Sequence, residues 1–159
     1  MEATTMEELF NLFNLIVNQY ASLQKTMHIQ MTDDQVSLAE IHTIVCIGKH
    51  PFINAVTLAK AQGVTRSSIT QMTKTLEKKR FIRKEISPQT KNEVVLSLTS
   101  KGETVFELHE KQHQYLRSRI QKKLEKYPKD TLQTLMSLGK DIQDVWAELK
   151  NGKGCSYHV

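Results

Sequence analysis

Between Arg66 and Lys74 the chain sets out Arg66, Ser67, Ser68, Thr70, Gln71 and Lys74, with Ile69, Met72 and Leu76 interleaved at spacings of three and four. A helix over 65–79 gathers the apolar three into one stripe and turns the cationic, hydroxyl and amide groups to the opposite face. Side chains of this kind read base edges and grip phosphates. A second chemistry belongs to imidazoles. His109 and His113 are four apart, share one face of a helix, and so form half a site for a transition metal. His42, in another helical stretch, is the third candidate. Zinc would need one or two ligands more, for which Glu40, Glu107, Glu110 and His28 are available.

The elements that must hold these residues follow from local text. Asn54–Gln62 reads as a short helix, with Ala59 small enough for a close crossing and Gly63 able to take the positive φ that ends it. Thr65 then caps the helix over 65–79. Beyond Arg80 the period becomes two: 81–87 and 93–99 read as strands, and Pro88-Gln-Thr-Lys-Asn92 between them has turn composition, with Lys91 and Asn92 at its tip. A helix-turn-helix followed by a hairpin is a winged helix, here about 37–99, with its wing at 87–92.

Around that unit lie helices. Thr5-Met-Glu-Glu8 reads as a capping box opening a helix over about 5–27, and Ser37-Leu-Ala-Glu40 repeats the signal for a second helix that Gly48 should stop. Thr99-Ser-Lys-Gly102 starts a long helix that Tyr127-Pro128 ends, and a last helix runs from Asp130 to Lys150. Residues 151–159 read as a frayed tail. The fold class expected is mainly α with a small β-hairpin wing, one domain over 1–159. The first helix and 100–150 carry more apolar surface than one small domain can cover, so they are expected to form a dimer base.

Net charge is +5, and from Lys60 to Lys101 ten basic residues face three acids, a local +7 that leaves −2 for the remainder. Basicity is accordingly expected to be confined to the winged helix, where it favours a polyanion such as duplex DNA. No apolar run has the length of a membrane span, and a cytoplasmic location is expected. Cys46 and Cys155 do not make a disulfide framework. The sequence has no glycine-rich phosphate loop, nucleophile elbow or paired-cysteine signature, so no enzyme is expected. The alternative to a DNA-binding regulator is a winged-helix protein-interaction module without specific DNA binding.

The layout, with Leu58-Ala59, Gly63-Val64-Thr65, Leu76-Glu77-Lys78-Lys79 and Leu96-Ser-Leu-Thr-Ser-Lys-Gly102 as its most specific words, resembles the MarR family of multiple-antibiotic-resistance regulators over roughly Glu8 to Leu149. The resemblance implies a homodimer that binds a palindromic operator and represses transcription until a signal changes its affinity. Thr90 and Lys91 stand where the family commonly has Asp-Arg, and lysine keeps the charge but loses the planar fork that suits a minor groove. Arg80 stands where the family usually has glycine, which bears on the backbone turn there. The histidine trio is similar to that of the family's zinc-responsive subset, in which a first-helix glutamate completes the site; Gln24 occupies that region here. The other signal the resemblance implies is a small phenolic ligand in an apolar crevice, with Phe13, Tyr20, Met72 and Phe106 as lining candidates.

Overall fold

The computed structural model describes residues 3–29, 36–90 and 92–150. They form α1 (Ala3–Ile29), α2 (Leu38–Lys49), α3 (Ala55–Gln62), α4 (Arg66–Lys78), β1 (Ile82–Ile86), β2 (Val94–Leu98), α5 (Ser100–Leu124) and α6 (Lys129–Lys150). The fold is mainly helical, with one antiparallel hairpin in the register Ile82↔Leu98 through Ile86↔Val94. Two compact units divide within α5, one through His113 and one from Gln114 onward.

The first unit owns the core. Ile41, Ile44 and Ile47 of α2, Leu58 of α3, Ile69 and Leu76 of α4, Phe81 and Ile82, Leu96 and Leu98 of β2 and Val105 of α5 are buried together. Burial of a side chain of this size contributes roughly 1.5–3 kcal/mol, so this cluster is the main source of stability for the winged helix. Ile53 adds a single antiparallel bridge to Leu96, which ties the start of α3 to the wing.

Helix ends are closed by side chains, as exposed backbone donors require. Ser37 and Glu40 make both bonds of a capping box on α2. Thr99 accepts from the Gly102 N–H at the head of α5, and its hydroxyl donates to the Arg80 carbonyl at 2.6 Å. Two expected boundaries move. Helix α1 already runs from Ala3, so Thr5 lies inside its first turn rather than capping it. Helix α2 continues to Lys49, and Gly48 is there for space: a Cβ on it would stand 2.7 Å from the Phe106 ring.

In the second unit, the end of α5 turns into α6 through Tyr127, whose N–H donates to the Leu124 carbonyl at 3.0 Å. None of its described side chains is buried, and Leu135, Met136, Val145 and Trp146 of α6 are exposed. On α1, Leu9, Phe10, Leu12, Ile16 and Tyr20 are exposed in the same way.

Candidate nucleic-acid interface

The reading face depends on how α3 hands over to α4. Asn54 caps α3 by accepting from the Thr57 N–H at 2.8 Å. Gly63 then takes φ 63°, and the Val64 N–H returns to the Ala59 carbonyl at 3.1 Å, which closes the helix end as a left-handed cap does. Thr65 follows in extended backbone and accepts from the Ser68 N–H, which starts α4.

Helix α4 buries Ile69, Thr73 and Leu76, with Met72 half-buried. Arg66, Ser67, Ser68, Thr70, Gln71 and Lys74 are all exposed. Their chemistry is not equal. The Ser68 hydroxyl is 2.8 Å from that of Thr65, and the single proton of the Thr70 hydroxyl goes to the Arg66 carbonyl at 2.8 Å. Arg66, Ser67, Gln71 and Lys74 have no such local partner among the described residues.

Between the start of α3, α4 and the hairpin lies an open groove of about 580 Å³. Arg66, Thr70, Thr90 and Asn92 line it, together with Lys84 and Glu93, which the sequence did not single out. Lys84 is ion-paired to Glu77 at 2.5 Å. Glu93 accepts from the Asn54 amide and from the Thr90 hydroxyl, so it clamps the wing's turn to the cap of α3. The turn is further closed by Ser87, whose hydroxyl accepts from the Gln89 and Thr90 N–H groups. Lys91 lies outside the described residues. An acid directly after Asn92 was the signal for the Glu93 clamp, but its partner lies 39 residues away.

The imidazoles do meet. His109 and His113 stack with centroids 4.1 Å apart, and His42 approaches His109 edge-on at 6.2 Å. His109 is buried, and its Nδ1 has no hydrogen-bond partner. Burial, aided by His113, depresses its pKa to about 4 despite the neighbouring Glu110, with His42 and Lys49 adding to the depression. The ring is therefore neutral at pH 7, the state in which imidazole binds metal.

The further ligand candidates are engaged elsewhere. Glu110 pairs with Lys49 at 3.0 Å, and that contact holds its carboxyl below the usual range. Burial works to raise the Glu40 carboxyl, but Lys79 at 2.7 Å and the Ser37 N–H at 2.6 Å outweigh it and depress its pKa. Glu107 lines a separate cavity, and the side chain of His28 lies outside the described residues. Among the described residues no three His, Cys, Asp or Glu side chains converge as a complete metal site.

Among the described residues, Phe106 and Met72 line different cavities. Phe106 faces a cavity of about 390 Å³ with Ile47, Phe52 and Leu98, while Met72 faces another of about 310 Å³ with His42, Gln62 and Ser68. Neither cavity is lined by Phe13 or Tyr20. Cys46 is half-buried, and burial raises its thiol pKa, so it is not activated as a nucleophile.

Known proteins share this fold. Residues 36–94 match the model of the MarR family. The HTH-type transcriptional regulator PchR of Bacillus subtilis (strain 168) is 36% identical over 77 residues, 48% of this chain and 46% of that protein, so the match spans about half the length of that relative. The solved structure of Streptococcus pneumoniae FabT in complex with DNA superposes with a TM-score of 0.68 at 23% identity, over 93% of this chain and 99% of that one. Staphylococcus aureus MarR in complex with salicylate and kanamycin gives a TM-score of 0.66 at 19% identity, over 92% and 95%.

Proposed function

We propose, from the match of residues 36–94 to the MarR family, that the chain is a homodimeric, DNA-binding transcription regulator of that family acting as a repressor. The observation that carries this reading is the division of α4: its apolar stripe is buried, and its cationic, hydroxyl and amide groups face solvent beside an open groove. A similar fold has been solved with DNA in FabT.

In this reading α4 lies in the major groove of a palindromic operator. Arg66, Ser67, Ser68 and Gln71 face bases, and Ser68 must exchange its bond to Thr65 to do so. Thr65, Thr70 and Lys74 hold phosphates, Thr70 as its hydroxyl turns from the Arg66 carbonyl. Lys91 and Asn92 touch the minor groove or its backbone. Two copies related by a dyad would place their heads roughly 34 Å apart on neighbouring turns. Selection of binding sequences from a random duplex pool tests it. The wild type should enrich a palindrome, and Arg66→Ala should lose about 1–3 kcal/mol and relax the base preference. A pool that enriches nothing, or a protein whose binding ignores salt, would leave the protein-interaction alternative standing.

For the signal, the state of His109 favours a divalent metal such as zinc. A buried, neutral imidazole with an unpartnered nitrogen, stacked on His113 and approached by His42, fits part of a ligand set. When bound, the metal would supply a bridge between α2 and α5. His42, His109 and His113 would have to draw together to hold it, and a further ligand from Glu110 or Glu40 would require that carboxylate to leave Lys49 or Lys79. Equilibrium dialysis should show a zinc equivalent in the wild type that His109→Ala with His113→Ala lacks; equal stoichiometry sinks the site. The cavity beside Phe106 supports the other reading, a small phenolic ligand of the kind seen with S. aureus MarR, and metal-free protein that binds salicylate would favour it.

A further inference from the structure

The overall charge conceals a second cationic segment. Outside 60–101 the chain sums to −2, yet Gln114–Lys129 holds Arg117, Arg119, Lys122, Lys123, Lys126 and Lys129 against Glu125 alone, a net +5. Basicity is therefore not confined to the winged helix, as the sequence reading expected; acids elsewhere cancelled this segment in the total.

Its cations are ordered. At 100° per residue, Tyr115, Arg119, Lys122 and Lys123 fall on one face of α5, and Lys126 continues the row in the turn that follows. All five are exposed, Tyr115 at 68%. Among the described residues no carboxylate pairs with Arg119, Lys122, Lys123 or Lys126; the only neighbour of this kind is the Tyr127 ring, 5.0 Å from the Lys126 Nζ. The apolar residues Leu116, Ile120 and Leu124 lie on the adjacent arc, so covering them with another helix leaves the cations in water.

We infer that this stripe is a second, sequence-independent site for the phosphate backbone of duplex DNA. From Arg119 to Lys126 the row is roughly 10 Å long at 1.5 Å per residue. It can lie along about three phosphates of one strand at 3.4 Å spacing along the duplex axis, with binding driven by counterion release. A lipid surface fits less well. A helix lying on a membrane sinks a broad face of bulky apolar groups opposite its cations, and here the flank of the row away from Leu116 carries Gln114, Ser118, Gln121 and Glu125. The site uses none of α4, so it stands or falls independently of the sequence-reading role given to that helix.

Fluorescence anisotropy on the full chain, with a random-sequence duplex of about three helical turns and salt varied between about 50 and 200 mM, separates the two sites. Arg66→Ala, Lys74→Ala and Lys91→Ala together remove the cationic contacts proposed for α4 and the wing. That variant should keep weak duplex binding, and adding Arg119→Gln, Lys122→Gln, Lys123→Gln and Lys126→Gln should remove it, while the four glutamines in the wild-type background should lower the salt slope by about 3. Unchanged circular dichroism and melting, expected for four exposed residues, certify the fold. The inference is overturned if the four glutamines leave residual binding as it was, or if the triply alanine-substituted protein binds no duplex. It is equally overturned if the row retains phosphatidylglycerol vesicles but not duplex, or if the glutamines only dissociate a dimer in sedimentation. Should the three alanines change nothing while the glutamines abolish binding, the α4 reading fails and the stripe survives.

Discussion

Arg80 sits at φ 62°, in the left-handed region that glycine favours, and the reason is the way α4 ends. The Phe81 N–H returns to the Leu76 carbonyl at 2.9 Å and the Arg80 N–H to the Glu77 carbonyl at 2.9 Å, a paired closure that needs a left-handed residue at position 80. The turn takes the left-handed closure without a glycine, and the strain is borne by an exposed arginine. Arg80→Gly should gain about 0.5–1 kcal/mol in urea unfolding, because about 1–2 kcal/mol of left-handed strain outweighs the added freedom of the unfolded chain. A loss of stability would mean the arginine side chain holds the turn. Gly102 is the opposite case. A Cβ there would collide with the Phe81 carbonyl oxygen and meet Leu98 at 3.3 Å, so Gly102→Ala should cost at least about 3 kcal/mol, and unfolding at the wild-type denaturant midpoint would refute the packing argument. At His109 the folded pKa of about 4 lies below its ordinary 6.5, so the unfolded chain binds the extra proton. The stability that this burial demands of a neutral ring is fully present above about pH 6.5 and is lost as pH falls through about 4, by at most about 3 kcal/mol. In chelator, His109→Gln should flatten the stability profile across that window, and an unchanged slope would assign it to other groups.

At the scale of elements, what could be read in advance was local and periodic. The stripe of α4, the caps at Ser37 and Thr65, and the hairpin follow from spacing alone, because each is decided within about four residues. Contacts between elements were not legible. Glu40 shows the difference: its place in a capping box is written in Ser37-Leu-Ala-Glu40, but its second partner is Lys79, 39 residues on, at the end of α4. The same holds for the clamp of Glu93 on Asn54 and for the Lys49 ammonium that pairs with Glu110 beside His109. That pair of Glu40 and Lys79 fixes the far end of α4 to α2, with the carboxylate buried and the ammonium about one-third exposed. Lys79→Met leaves a buried carboxylate without its cation and should cost about 1–3 kcal/mol by denaturant unfolding, with less loss for the doubly substituted Glu40→Gln, Lys79→Met protein. A cycle in which the two losses simply add would show that the pair contributes nothing as a pair.

For the whole molecule, the decisive quantity is apolar surface that the chain does not cover itself. The buried cluster is drawn from residues between Val36 and Val105, and α1 contributes nothing to it, although Phe10 is 63% and Ile16 55% exposed. Patches of that size on a monomer mark a surface meant for association, and a second copy of the same helices is the partner the proposed function requires. The exposed face of α1 can be tested separately from the winged helix. Phe10→Glu with Ile16→Glu should give a monomer in sedimentation equilibrium and leave the winged helix folded, because no residue of its core is touched. Operator affinity should then fall by about 10²–10⁴, the gain that linking two half-site contacts provides, while binding of a single half-site stays within a factor of a few. If the substituted protein remains dimeric, α1 is not the base of the assembly. If it is monomeric yet binds the full palindrome as before, the two heads do not act together, and the spacing between them cannot be the quantity that a bound metal or phenolic ligand adjusts.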